Sequence, residues 1–321
     1  MYTLAHVSDW HTTPLAGLDP TALLSKRFFG WLSWNVRRGK THRPEVLRAL
    51  FRDLQGERPD HVAMTGDLTN IALEQECQLA ARQLRELGGP DWISLIPGNH
   101  DAYVRVPVAR TWKLWADYIR SDPGEGDPAE AAGEDFLAAG TACEEAAPFP
   151  CVRIRGELAL LGVCTARPTP LFMATGRVGD AQLRRLEAQL VALGERGLCR
   201  VVLVHHPVVD HHVSPRRRLS DSAALREVLE RAGAELVLHG HHHRTMLEHL
   251  AGPEGPIPVV GVRSSSDVGE KEHKRAQYNI YSIERESGGD PASKGRFRIE
   301  VQVRGWDPEH ERFVAEGRST L

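Results

Sequence analysis

The sequence predicts a layered α/β domain with much parallel sheet, and three observations carry that expectation. Short β-branched or apolar runs alternate with helical stretches over the first two thirds of the chain, the order from which parallel strands and covering helices are built. Several of these runs end in clusters of polar residues, and in such sheets ligands sit beyond the carboxyl ends of the strands. The composition, 41% hydrophobic and 26% charged over 321 residues, is that of a globular protein large enough to bury a full core without disulfides.

Taken in order, Thr3 to Val7 reads as a strand leading into Ser8-Asp9-Trp10-His11. His61 to Thr65 leads into Gly66-Asp67, and Trp92 to Ile96 into Pro97-Gly98-Asn99-His100-Asp101. Farther on, Val201 to Val204 leads into His205-His206-Pro207, and Glu235 to Leu238 into His239-Gly240-His241-His242-His243. Between these runs, Leu73, Cys77, Ala80, Leu84 and Leu87 recur at helical spacing and stop at Gly88-Gly89-Pro90. Leu183, Leu186, Leu190 and Leu193 form a second stripe capped by Asp180, and Leu225, Val228, Leu229 and Ala232 a third that ends at Gly233. The runs Ile257 to Val262, Gln277 to Ile283 and Phe297 to Arg304 read as a strand meander that ends the sheet.

The expected organisation is one domain over residues 1–305, with insertions at about 20–43 and 121–148 and a C-terminal tail at 306–321. Residues 121–148 hold eight acids and no Lys or Arg, and read as a flexible surface insertion with one short helix near Phe136. The other insertion is its opposite. Lys26, Arg27, Arg37, Arg38, Lys40 and Arg43 occur with no acid between Asp19 and Glu45, interleaved with Phe28, Phe29, Trp31 and Trp34. Aromatic and basic residues together suit an interfacial helix at an anionic lipid surface, or a nucleic-acid strand, or simply rings packed on the core beneath solvated charges. Because the segment follows Asp9-x-His11, it is expected near the rim of any site built there, and Arg216-Arg217-Arg218 is a second basic run that could face the same rim.

A net charge of −3 argues against a general nucleic-acid coat, and no stable nucleic-acid partner is expected. The five cysteines show no Cys-x-x-Cys pair, so reduced, mostly buried thiols are expected rather than a disulfide framework or a thiolate zinc site. His6 and Asp9 interrupt the apolar start of the chain, which does not read as a secretory signal. Apolar runs such as Leu158 to Val163 fall far short of the ~20 residues of a membrane span, so a cytoplasmic protein, at most peripheral at the inner face of the membrane, is expected. Oligomeric state is not legible.

The unusual feature is the histidine content, 16 residues of which nine crowd between His205 and His249. Together the strand ends offer Asp9, His11, Asp67, Asn99, His205, His241 and His243. Alternate residues of an extended strand point the same way, so Asp9 with His11, and His241 with His243, can each reach one ion if the strand conformation persists that far. Oxygen and nitrogen donors without a thiolate suit Mn, Fe, Zn or a similar ion.

In this order, Asp9-x-His11, Gly66-Asp67, Gly98-Asn99-His100-Asp101, His205-x-Pro207 and Gly240-His241-x-His243 resemble the signatures of the calcineurin-like metallophosphoesterase superfamily, over roughly residues 3–245. The resemblance implies an αββα sandwich with two facing mixed sheets and helices outside. It implies two divalent metal ions, with Asp9, His11, Asp67 and His243 on the first and Asp67, Asn99, His205 and His241 on the second. Asp67 would bridge with one oxygen on each ion. His100 would sit over the phosphate as the catalytic group, with Asp101 orienting its ring. Two such ions outweigh Asp9, Asp67 and a bridging hydroxide by one charge, which attracts a phosphate anion for hydrolysis by that hydroxide. His206, His239 and His242 read as packed beside the ligands, Asn70 as a helix cap, and His6, His42, His61, His249, His273 and His310 as surface or satisfied core histidines.

The implied function is a binuclear metal-dependent phosphoesterase, most similar to the bacterial cyclic-nucleotide and glycerophosphodiester phosphodiesterase branch. A pyrophosphatase acting on a lipid-linked substrate, similar to UDP-2,3-diacylglucosamine diphosphatases, is the first alternative, and a catalytically silent scaffold the second. The expected partner is a small phosphoester or lipid-linked phosphate substrate, with peripheral membrane contact through residues 26–43.

Overall fold

The computed structural model describes residues 1–11, 15, 18, 20–107, 110–125, 149–209, 213–269, 271–286 and 296–321. The expected helix near Phe136 and most of the 121–148 insertion lie outside the described residues.

Two six-stranded sheets form the centre. The first runs in the order β12-β11-β10-β1-β2-β3, with β1 at Tyr2–Val7, β2 at His61–Met64, β3 at Ile93–Leu95, β10 at Gln277–Arg285, β11 at Phe297–Asp307 and β12 at Arg312–Thr320. The second runs β4-β5-β6-β7-β9-β8, with β4 at Cys151–Arg155, β5 at Leu158–Val163, β6 at Cys199–Val204, β7 at Leu236–His239, β8 at Met246–Leu250 and β9 at Ile257–Gly261. Strands β1, β2 and β3 are mutually parallel, as are β5, β6, β7 and β9, while the outer pairings are antiparallel. Both sheets are therefore mixed.

Alternation along the strands sets the layers. On β6, Cys199, Val201 and Leu203 join the core between the sheets, whereas Val202 and Val204 face outward onto helices α4 (Asp180–Glu195) and α5 (Ser222–Ala232). On the far side of the first sheet lie α2 (Pro44–Glu57) and α3 (Glu74–Leu87), whose Leu47, Leu50, Leu54, Cys77, Ala80 and Leu84 complete the same inner core. The result is the expected αββα sandwich. Asp180 is the first residue of α4 rather than its cap, which is Gly179.

Two expectations about the C-terminal third are corrected. The run from Ile257 is not part of the meander: β9 pairs with β7 in the second sheet, and β10 to β12 complete the first. Residues 306–321 are not a tail, because β11 continues to Asp307 and β12 pairs along it to Thr320. Only Phe313 of β12 is buried, so this edge strand shows no apolar alternation to mark it. Arg304 on β11 ties the meander to α2 through paired contacts to Asp53 at 2.6 and 2.8 Å.

Among the cysteines, Cys77, Cys151 and Cys199 are free and buried as expected. Cys164 is disulfide-bonded, which corrects the expectation for that residue; a single bridge leaves no spacing signature. Among the described residues, no helix is long and apolar enough to cross a membrane.

The 20–43 insertion forms a helical arm. A 3₁₀ turn at Pro20–Leu23 precedes α1 (Arg27–Ser33), which passes through a π-helical turn at Trp34–Arg38 and a last turn at Gly39–Thr41. Arg27 fixes the arm to the loop after β2 by donating to the carbonyls of Ile71 and Ala72 at 3.0 and 2.7 Å.

Candidate metal centre

The carboxyl ends of β1, β2 and β3 from one sheet and of β6 and β7 from the other meet at a common edge. Beyond Val7 the chain does not stay extended. Asp9, His11, Asp67, His241 and His243 all have left-handed backbone, with φ of 56°, 48°, 59°, 70° and 51°. The expected alternation along a strand is thereby corrected: the pairs Asp9/His11 and His241/His243 are aimed by tight turns. Each such non-glycine conformation costs on the order of 1–3 kcal/mol and persists only where surroundings impose it. Here they do so through main-chain bonds, Asp9 N–H to the Gly66 carbonyl at 3.0 Å and His11 N–H to that of Asp67 at 3.2 Å. Close approach does the rest. A Cβ on Gly98 would strike the Asp67 carboxylate, and one on Gly240 would strike Ser8 and the Asp9 carboxylate.

These turns collect the expected donors into buried sets. Asp9, His11 and His243 form one, and Asp67, His205 and His241 a second; within each, the potential ligand atoms lie within 4.8 Å of one another. Asp9 Oδ1 lies 3.2 Å from His243 Nε2 and 3.7 Å from His11 Nε2. Asn99 Oδ1 joins the second set at 3.0 Å from His205 Nε2. Asp67 stands between them. Its Oδ1 accepts the His100 N–H at 2.7 Å, while Oδ2 alone faces both His11 Nε2, at 3.6 Å, and His205 Nε2, at 3.4 Å. Oδ2 is thus the Asp67 oxygen that faces both donor sets, while a backbone N–H occupies one lone pair of Oδ1.

The donor chemistry fits a cation. His11 Nδ1 and His205 Nδ1 each face a carbonyl, Thr69 O at 3.0 Å and Thr65 O at 2.6 Å. Each Nδ1–H therefore donates outward, and the Nε2 lone pair is left facing the carboxylates. With His205 neutral, its Nε2, Asn99 Oδ1 and Asp67 Oδ2 are converging acceptors that need a cation between them, a metal ion or, without one, a proton on Nε2. Asp9 Oδ1 is buried without a hydrogen-bond partner. Although burial opposes ionisation, the histidines around Asp9 and Asp67 hold both carboxyls well below the usual range. Against the same penalty, the Asp67 and Asp9 charges push His205 up to about 9. Such concentrated anionic charge is what divalent cations neutralise.

His100 lies beside this cluster. Its Nδ1 donates to the Asn70 carbonyl at 2.6 Å and its ring stacks on Tyr103 at 5.7 Å. Burial and then Arg38 hold the imidazole well below its ordinary pKa. Its side chain also falls within 4.8 Å of potential ligand atoms of His11 and Asp67.

The expected role of Asp101 is corrected. It does not touch the His100 ring, which Asn70 orients instead. Asp101 accepts backbone N–H bonds from Asp67 and Gly98, both at 2.9 Å, and from Thr69 at 3.0 Å, so it fastens the loop after β2 to the loop after β3. Burial and the Asp67 charge push its pKa up to about 7 even as these donors favour the carboxylate. Asn70 likewise is not a cap: α3 starts at Glu74, and the Asn70 amide donates to the His11 carbonyl at 3.3 Å.

Over residues 2–245 the sequence matches the calcineurin-like phosphoesterase family. The chain belongs to this family. No curated protein matches it in sequence. A dimetal phosphatase from Danio rerio shares the calcineurin-like phosphoesterase chain's fold with a TM-score of 0.55 at 12% identity, over 98% of both chains. A sulfate thiohydrolase from Thermus thermophilus aligns at a TM-score of 0.47 and 15% identity, over 93% of this chain and 56% of its own. A vacuolar protein sorting 29 protein from Cryptosporidium parvum aligns at 0.40 and 10% identity, over 100% of this chain and 97% of its own.

Two residues of this phosphoesterase site were not singled out from the sequence. Arg38, aimed inward by the π turn, donates to His100 Nε2 and His11 Nε2, both at 3.1 Å. Turns of this type recur at functional sites, but sequence periodicity does not reveal them. His42, at the end of the same arm, is a satisfied core histidine through Ser266 Oγ at 2.9 Å, yet its ring packs directly on those of His11 and His243 at 4.9 and 5.6 Å. Above the cluster opens a cleft of about 770 Å³ that reaches Asn99 and His100. Arg38, Arg216, Arg217 and Arg244 are cationic groups of its lining, Phe29, Leu171, Phe172 and Met173 apolar ones, and among the described residues no Asp or Glu lines it.

Proposed function

We propose that the chain is a two-metal phosphoesterase that hydrolyses phosphodiesters. The observation that carries this reading is the pair of buried donor sets sharing Asp67 Oδ2. Asp9, His11, Asp67 and His243 would hold one ion, and Asp67, Asn99, His205 and His241 the other. Divalent ions bound there polarise a phosphoryl oxygen and lower the pKa of water toward ~7.

The protein's own groups account for the rest. Arg38 presents guanidinium donors to a phosphoryl oxygen, and His100 Nε2, an acceptor while Nδ1–H donates to Asn70, is placed to take up a proton from water and pass it to the leaving oxygen. Asn70 and Tyr103 keep the ring in that orientation. A diester is favoured over a monoester because the cleft is roomy and its lining offers both cationic and apolar contacts to a second substituent on phosphorus. The Gly98-Asn99-His100-Asp101 and His205-His206-Pro207 segments also resemble the phosphodiesterase branch.

The test is turnover of bis(p-nitrophenyl) phosphate by metal-supplemented protein, with p-nitrophenyl phosphate for comparison. We expect the diester to be the better substrate with Mn²⁺, activity to vanish on chelation, and re-addition of metal to restore it. No turnover with Mn, Fe, Zn or Co would reduce the fold to a silent scaffold. Arg38→Met is expected to lower kcat/KM by about 10- to 100-fold, the worth of a charge-assisted hydrogen bond, with bound metal unchanged by elemental analysis. Wild-type kinetics in that variant would remove Arg38 from the mechanism.

A further inference from the structure

The helical arm carries apolar residues on two faces. Trp31 and Trp34 turn inward and pack with Leu15, Ile71 and Leu73. On the outer side Leu24, Phe28, Leu32 and Val36 recur every fourth residue and stand 86%, 43%, 44% and 68% exposed. Phe28 and Leu32, four apart on α1, are neighbours on the helical surface, while Leu24 in the turn before α1 and Val36 in the π turn after it extend this exposed apolar stripe along the arm at either end. The stripe continues into the cleft wall, since Phe28 contacts Phe29, and Phe29 contacts the 69% exposed Phe172 at 5.6 Å between ring centroids.

Basic groups border this apolar strip. Arg37 and Lys40 are exposed on the same arm, and Arg216, Arg217 and Arg244 are exposed in the cleft's lining. No acid occurs from residue 20 to residue 44. An aromatic base entering the cleft would be served by Phe29, Phe172 and Tyr103 within it. Leu24, Phe28, Leu32 and Val36 lead away from the cleft along the arm, and a continuous apolar stripe with a cationic border matches a bilayer surface carrying anionic headgroups.

We propose that the outer face of the arm, with Leu171 and Phe172, is a docking edge for an anionic lipid bilayer, and that the cleft takes the phosphoester headgroup of an amphiphile held in it. The hydrolytic half rests on the function proposed above; the docking half does not. Docking places the cleft mouth at headgroup level, where its arginines meet the phosphate and the exposed Leu171 and Phe172 meet the chains.

The experiment is co-sedimentation with vesicles of phosphatidylcholine alone or mixed with phosphatidylglycerol, at low and high salt. The wild type is expected to partition onto the mixed vesicles about tenfold more strongly than onto the neutral ones, and to be released by salt. Leu24→Ser/Phe28→Ser/Leu32→Ser/Val36→Ser is expected to stay in the supernatant while hydrolysing soluble bis(p-nitrophenyl) phosphate at the wild-type rate. If that variant loses its fold by circular dichroism, Arg37→Glu/Lys40→Glu carries the test and is expected to abolish the preference for phosphatidylglycerol. Wild-type protein left in the supernatant, or either folded variant sedimenting like wild type, overturns the proposal. A wild-type dimer that the stripe variant converts to monomer by light scattering also overturns it, assigning the stripe to self-contact. A wild type that binds vesicles but hydrolyses no phosphoester defeats the enzymatic reading while leaving the docking edge standing.

Discussion

Asp67→Asn is expected to lower kcat/KM for bis(p-nitrophenyl) phosphate by roughly 10³-fold or more, several kcal/mol of lost metal assistance, and to cut bound metal from two ions per chain to fewer than one. The reasoning starts from the two oxygens. Oδ1 accepts the His100 N–H at 2.7 Å, and Oδ2 faces the lone pairs of His11 and His205. An amide in this position must either set its NH₂ against the His100 N–H, donor against donor, or turn it toward the two imidazoles, where it satisfies their lone pairs in place of a cation. Both orientations also remove a charge shared by the two donor sets. A second readout separates metal loss from unfolding. Stripping metal from the wild type leaves a buried carboxylate cluster uncompensated, so metal should raise its Tm strongly, whereas the Asn variant should show little metal-dependent increment and no lower Tm than stripped wild type. Full metal content with near-normal turnover would refute the shared-oxygen arrangement.

His100→Ala is expected to keep both metals and to lose about 10²- to 10⁴-fold in kcat, the usual worth of a positioned acid–base group. The ring is held from behind, Nδ1–H by the Asn70 carbonyl and its face by Tyr103, which leaves Nε2 as the working nitrogen. A group that assists the leaving oxygen matters most when that oxygen leaves poorly. The deficit should therefore be larger for an alkyl aryl diester losing its alkoxide than for one losing p-nitrophenolate. Because His100 also lies within reach of His11 and Asp67, elemental analysis is decisive: loss of one ion would make it a ligand, and wild-type kcat would discard it altogether.

What was legible in the sequence was what local pattern determines. The strands ending at Val7, Met64, Leu95, Val204 and His239, and the stripes of α3, α4 and α5, follow from side-chain periodicity and were placed within a few residues. The order of polar clusters at those ends named the seven side chains that the fold brings together as candidate donors. Helix α2 was also there to be read, with Pro44 at its start and Val46, Leu47, Leu50 and Leu54 on one face. The remainder depended on contacts made only after folding. Left-handed turns at Asp9 and His11 are imposed by carbonyls of the loop after β2, a different strand. Asp101 could not be told from a ring-orienting carboxylate until the backbone N–H groups that surround it were in place. Arg38 stood in a run of similar cations, and only its position facing His11 and His100 in the folded arm distinguishes it from the exposed Arg37, its neighbour in the same π turn.

The Asp101 clasp has a consequence for how such a site can change. The reactive groups hang from turns locked to one another by main-chain atoms, whereas the surfaces that meet the rest of a substrate come from the arm at 20–43 and the stretches around 169–174 and 214–217. Cutting and choosing are thus assigned to separable parts of the chain. Exchanging those outer stretches should redirect selectivity without retuning the chemistry beneath, so diversification here can proceed by replacing walls while the floor stays put.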